Sequence, residues 1–133
     1  MSIDEPCLTN FDKVEEFHEK FDLEMPEGAT MPDQALFFLR YSLIKEELLE
    51  FGAAYAEQNL VEMADALGDI LYTTYGAGVC FGFDMDKIFA EIHRSNMTKL
   101  SENGKALKGA SGKVRKGPFY RPPVLAPILG VSR

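Results

Sequence analysis

Between Glu46 and Asp86 the chain carries nine carboxylates and not one lysine or arginine. Six of them form two clusters: Glu46, Glu47 and Glu50 in EELLE, then Glu62, Asp65 and Asp69 in EMADALGD. On helices, at roughly 100° per residue, the first cluster collapses into an arc of roughly 100° and the second into roughly 60°. Carboxylates crowded onto one stripe repel one another unless a cation sits among them. Two adjacent helices presenting six of them match a hard, oxygen-seeking ion of the magnesium type.

The surrounding sequence supplies those helices. A first runs from about Thr9 to Asp22, with Thr9 and Asp12 in capping-box positions and Phe11, Val14, Phe17, His18 and Phe21 on one face. Pro26, Gly28 and Pro32 then break the chain. The second helix spans about Asp33 to Glu57, and Gln58-Asn59 makes a turn short enough to return the third, about Leu60 to Phe81, antiparallel to it. Gly82 ends the third, and Asp84 caps a fourth reaching about Leu100. From Ser101 the chain turns rich in Gly, Lys and Pro; Asn103-Gly104 suits a hairpin turn, the alternative being an irregular arm. The expected architecture is all-α, a four-helix bundle with an irregular basic C-terminal arm. It forms a single domain over 1–133, with a helical body of about 9–100 and an arm of about 101–133.

Charge divides along the same line. Residues 1–86 carry a net −15, residues 87–121 a net +7 and Arg133 the last positive charge. An acidic helical body joined to a basic segment suits a polyanion held between metal ions and lysines. A basic tail that binds RNA, or only keeps the chain in solution, is the plainer reading. No apolar run is long enough to cross a bilayer, and the first ten residues lack the pattern of a secretory signal. Cys7 and Cys80 are isolated and read as cytosolic thiols, so a cytoplasmic location is expected.

A run of acids is usually a solvated helix face, so burial decides its meaning. On the second helix Leu36, Leu39, Leu43 and Ala54 share a stripe with Glu47 and Glu50, while Phe37, Tyr41, Ile44, Leu48, Phe51 and Tyr55 make a second apolar stripe opposite. A helix apolar on both sides is expected to be largely buried, carrying those glutamates toward an interior with only Lys45 as a nearby cation. On the third helix Leu60, Met63, Leu67, Ile70, Leu71 and Thr74 form the core face, which leaves Glu62, Asp65 and Asp69 among small residues on the other.

Glu46-Glu47-x-x-Glu50 followed by Glu62-x-x-Asp65 resembles the EExxE…ExxD signature of the all-α nucleoside triphosphate pyrophosphohydrolases. That superfamily includes MazG proteins, dimeric dUTPases and phosphoribosyl-ATP pyrophosphohydrolases. The segments HRSNMTKL and GKVRKGPFYRPP look like its phosphoribosyl-ATP pyrophosphohydrolase-like branch. The resemblance covers about Phe17 to Pro123 and implies Mg²⁺-dependent cleavage of a nucleoside triphosphate to monophosphate and pyrophosphate, with Mn²⁺ able to substitute. By it, Glu47 and Glu50 with Glu62 and Asp65 hold the metal, and Glu46 is a further ligand or orients water. One departure bears on the register. In many relatives an LLY-like run follows the ExxD aspartate directly, whereas here DILY begins at Asp69 and Ala66 takes the glutamate position. The ligand pair is therefore Glu62 with Asp65, which is preferred, or Asp65 with Asp69.

Hydrolysis of a phosphoanhydride also needs cations to absorb leaving-group charge, and Arg94, Lys99, Lys113 and Lys116 are the candidates. Ser95 and Asn96 are neutral hydrogen-bonding neighbours for phosphate or base, and Tyr120 contacts substrate or anchors the arm. His93 reads as a helix-surface residue and His18 as a packed core histidine. The substrate expected is a small nucleotide, as in a house-cleaning or dUTPase-like enzyme; nucleic acid and membrane are not expected partners. Phosphoribosyl-ATP hydrolysis in histidine synthesis and a non-catalytic nucleotide- or RNA-binding regulator are the alternatives. The surplus apolar surface, including PVLAPIL, predicts a homodimer or homotetramer, as is usual among the enzymes it resembles.

Overall fold

The computed structural model describes residues 7–132. All four main helices are present: α1 Asn10–Lys20, α2 Gln34–Ala56, α3 Leu60–Phe81 and α4 Met85–Met97. Two short strands, β1 Leu107–Lys108 and β2 Val114–Arg115, and a single-turn helix, α5 Ala126–Leu129, follow. The chain divides into two compact units that meet between Met85 and Asp86.

Local chemistry sets the helix ends in the first unit. Thr9 and Asp12 close a reciprocal capping box: the Asp12 N–H donates to Thr9 Oγ1 at 3.0 Å and the Thr9 N–H to Asp12 Oδ2 at 2.9 Å. Asp33 accepts from the Leu36 N–H at 2.8 Å to start α2, and Asn59 accepts from the Glu62 N–H at 3.1 Å to start α3. At the far end of α3, Gly82 adopts φ +73°, a left-handed cap that only glycine takes without strain. That cap also receives the α1–α2 connection. The Thr30 N–H donates to Phe81 O at 2.8 Å, and a Cβ on Gly82 would lie 2.1 Å from Gly28 O.

Both α1 and α2 pack on α3. The core on the α1 side joins Phe11, Val14 and Val79, with Tyr75 and Met85 against them. Phe11 and Tyr75 stand 6.1 Å apart between ring centroids. On the α2 side the expectation of a largely buried helix is corrected. Ala54 is its one fully buried residue, while Phe37, Phe38, Leu39, Tyr41, Leu48, Leu49 and Tyr55 are exposed. Among the described residues α3 is the helix that packs extensively on α2, and one such neighbour covers a single stripe.

The second unit contains α4 and the basic segment. A hairpin does form there, with Leu107 opposite Arg115 and Lys108 opposite Val114. Its turn is Gly109 to Gly112, however, closed by the Gly112 N–H donating to Gly109 O at 3.0 Å. Asn103-Gly104 instead makes a separate tight turn, with the Gly104 N–H on Ser101 O at 2.9 Å. Among the described residues no helix is long and apolar enough to cross a membrane.

Candidate active site

Antiparallel packing turns the acid stripes of α2 and α3 toward each other. Glu47 is half-buried, and its Oε2 is enclosed without a hydrogen-bond partner. Desolvation raises its carboxyl above the ordinary range, and a hydrogen bond with Glu50 and the charges of Glu50, Asp69 and Glu46 raise it further. Asp69, also half-buried, is raised by desolvation first, then by the charges of Asp65 and Glu50 and a hydrogen bond with Asp65. Glu47, Glu50, Asp65 and Asp69 therefore form one electrostatic group across the seam. Glu46 stands at its exposed edge.

Glu62 lies outside this group. Its side chain is exposed on the first turn of α3 and is not among the charges acting on Glu47 or Asp69. As the side chains stand, no three or more Asp, Glu, His or Cys among the described residues converge on one point. The acids act on one another chiefly as neighbours along each helix, Glu50 on Glu47 and Asp65 on Asp69, with Asp69 and Glu50 acting across the seam. The donor set is all oxygen and excess in negative charge, and one of its oxygens is enclosed and unsatisfied. It fits a divalent cation of the magnesium type, which would offset their crowded charge.

The second unit uses part of its predicted phosphate-binding set to hold itself together. Arg94 grips Glu91 through Nε and Nη2 at 2.7 and 2.8 Å, and Nη2 also reaches Pro122 O at 3.4 Å. Glu91 Oε2 accepts from the Val124 N–H at 2.7 Å. The Arg94 hydrogen bond, followed by that backbone bond, pulls the Glu91 carboxyl down to about 2. Ser95 is buried and donates to Arg121 O at 2.8 Å, and the Arg121 N–H donates to Thr98 Oγ1 at 2.9 Å. Asn96 is exposed. Lys99 O accepts from the Gly117 N–H at 3.0 Å and Lys113 O from the Gly109 N–H at 2.9 Å, while the Lys116 Nζ sits 4.7 Å from the Tyr120 ring centroid.

The sequence reading passed over one cluster. His18 of α1 is 2% exposed, with Nδ1 3.8 Å from the Sγ of buried Cys80. Burial and the charge of Arg40 hold its imidazole below the usual value. The Arg40 guanidinium lies beside both, with Nη1 3.0 Å from where a Cβ on Gly76 would stand. A signal for it exists in the sequence: Arg40 precedes Glu47 by seven residues, two helical turns, and so shares its stripe. His93 is exposed on α4.

Comparison with known proteins adds to this geometry. The sequence profile of the family described as phosphoribosyl-ATP pyrophosphohydrolase matches residues 14–96, a span that includes all six acids. Among curated proteins, the uncharacterized protein L479 of Acanthamoeba polyphaga mimivirus is similar, at 45% identity over 67 residues. The match covers 49% of this chain but 27% of the viral protein, so the chain spans a minor part of that relative's length.

Proposed function

This chain belongs to the phosphoribosyl-ATP pyrophosphohydrolase family, and from that premise we propose that it is a nucleotide pyrophosphohydrolase, cleaving a nucleoside triphosphate to monophosphate and pyrophosphate. The observation that carries the proposal is the acid group itself: four carboxylates from two helices, with Glu47 and Asp69 raised above the ordinary range and an enclosed, unpaired oxygen on Glu47. Leaving carboxylates so crowded is unfavourable for stability, which is the usual mark of residues kept for chemistry.

We assign Glu47, Glu50, Asp65 and Asp69 to holding Mg²⁺ or Mn²⁺, which when bound supplies charge for the phosphate oxygens and makes water more acidic. Of the two ligand registers, we favour Asp65 with Asp69, because Asp69 acts on Glu47 across the seam and both Asp65 and Glu50 act on Asp69. Glu62 then has an outer role. Glu46, at the exposed edge, is placed to orient or deprotonate the attacking water. Neutralising the remaining substrate charge falls to cations, for which Lys99, Lys113 and Lys116 are the proposed sources, with Asn96 and Tyr120 as neutral neighbours. Arg94 and Ser95 contribute by holding residues 121–124 in place.

The uncovered apolar face of α2 supports assembly as a homodimer or homotetramer. A nucleotide substrate and two free thiols, exposed Cys7 and buried Cys80, suit a cytoplasmic setting. Phosphoribosyl-ATP itself is the second reading, favoured by the description of the matching family. A screen of canonical and modified nucleoside triphosphates and phosphoribosyl-ATP, with pyrophosphate release as readout and with or without EDTA, tests both. Turnover of phosphoribosyl-ATP alone selects the second. Absence of pyrophosphate from every substrate in Mg²⁺ refutes the proposed activity.

A further inference from the structure

The α2–α3 seam continues past the acids, and what it holds next is a cation. Arg40 stands two turns before Glu47 on α2, about 10 Å along the axis, and Gly76 stands two turns after Asp69 on α3. Because the helices run antiparallel, these two steps go in the same direction and bring Arg40 against Gly76. The absence of a side chain at Gly76 makes room for the guanidinium, since a Cβ there would meet Nη1 at 3.0 Å and His18 Nε2 at 3.4 Å.

A guanidinium enclosed between helices is ordinarily matched by a carboxylate. The chain has 21 acids, yet among the described residues none pairs with Arg40, and its buried Nε has no acceptor at all. Leaving such a donor unsatisfied costs about 1–3 kcal/mol, more for a charged group. Its packed neighbours offer little to offset that: His18 is buried and Cys80 is a weak acceptor. Arg40 remains partly exposed, so its fork can reach a ligand lying in the seam.

We propose that Arg40 binds a phosphate group of the substrate, taking the end that departs as pyrophosphate while the acids two turns away hold the reacting end through metal. The inference rests on the pyrophosphohydrolase reading above and names a residue for it. A planar fork with Nε and Nη donors suits two phosphate oxygens at once, which a lysine cannot reproduce.

Inorganic pyrophosphate is the probe, added with Mg²⁺ to the full chain labelled with ¹⁵N. The arginine Nε–H resonance of Arg40, assigned with Arg40→Lys, should shift and become protected from exchange as pyrophosphate saturates, while that of Arg94, already held by Glu91, should not move. In calorimetry, Arg40→Gln should weaken pyrophosphate binding by at least about tenfold, the loss of one charge-assisted hydrogen bond, with Arg40→Lys intermediate. A resonance that stays still at saturation, no pyrophosphate binding by the wild type, or Arg40→Gln within twofold of wild type would each overturn the proposal. The NMR arm uses the unmutated side chain, so misfolding of Arg40→Gln does not blunt it. A responding Arg40 in a protein that turns over no nucleotide would instead retain this inference and refute the activity. Turnover with a silent Arg40 would do the opposite.

Discussion

Changing Gly82 to alanine perturbs the point where the α1–α2 connection is fastened to the end of α3. Two costs arise together. The left-handed conformation, φ +73°, costs a residue with a Cβ about 1–2 kcal/mol. The new methyl would also lie 2.1 Å from Gly28 O and 2.6 Å from its carbonyl carbon, and backbone cannot rotate away as a side chain would. The 28–30 segment must withdraw, giving up the Thr30 N–H bond to Phe81 O, about 1 kcal/mol more. The expected loss is roughly 2–3 kcal/mol, or roughly 6–15 °C in Tm for a chain of this size. Thermal and urea unfolding followed by circular dichroism would measure it. Gly28→Ala is the matched control: nothing lies within 4 Å of its Cβ position, so it should stay within about 0.5 kcal/mol of wild type. If Gly82→Ala melts together with that control and with wild type, the fastening described here does not hold the fold.

Three further outcomes follow from the same structure. Glu47 and Asp69 have raised folded-state pKa values, so the folded chain binds more protons than the unfolded one and stability falls as pH rises through their titration; in EDTA, Asp69→Asn should raise the Tm at neutral pH and flatten that dependence, and a lower Tm than wild type would refute it. Glu91, lowered to about 2, contributes stability above the ordinary carboxylate pKa that is lost as pH falls toward that value; Glu91→Gln should speed amide exchange at Val124 at neutral pH, and unchanged exchange would dismiss the clamp. Light scattering at micromolar concentration should report at least two chains, and Phe38→Lys, at a position already 52% exposed, should lower the mass while keeping helical content; a single compact, fully active wild-type chain would contradict the assembly.

Helix positions were legible because the punctuation is local. Thr9 and Gly82 cap the helices expected of them, and Asp33 and Asn59, read only as a helix start and a turn, cap theirs as well, each acting within one turn of itself. The acid stripes were legible for the same reason, since stripe geometry follows from spacing alone. Which acids face one another was not, because that depends on the axial offset between α2 and α3, a non-local quantity. The offset groups Asp65 and Asp69, not Glu62, with Glu47 and Glu50. The burial expected for α2 failed for a related reason: two apolar stripes state that two partners are needed, not that one chain contains both. In the basic segment, Asn103-Gly104 competed with a glycine pair at 109 and 112, and strand pairing selected the latter. The surroundings of Arg40 were not legible, because His18, Gly76 and Cys80 come to it from two other helices and only packing brings them together.

Divalent-ion binding to the seam tests the central claim most directly. Mn²⁺ titration monitored by electron paramagnetic resonance should show binding by wild type, loss of at least about tenfold in affinity in Glu47→Gln and in Asp69→Asn, and near-normal binding in Glu62→Gln, since each of the first two removes a ligand charge at nearly constant volume. Unchanged Mn²⁺ affinity in both Glu47→Gln and Asp69→Asn, with helical content preserved, would contradict the account.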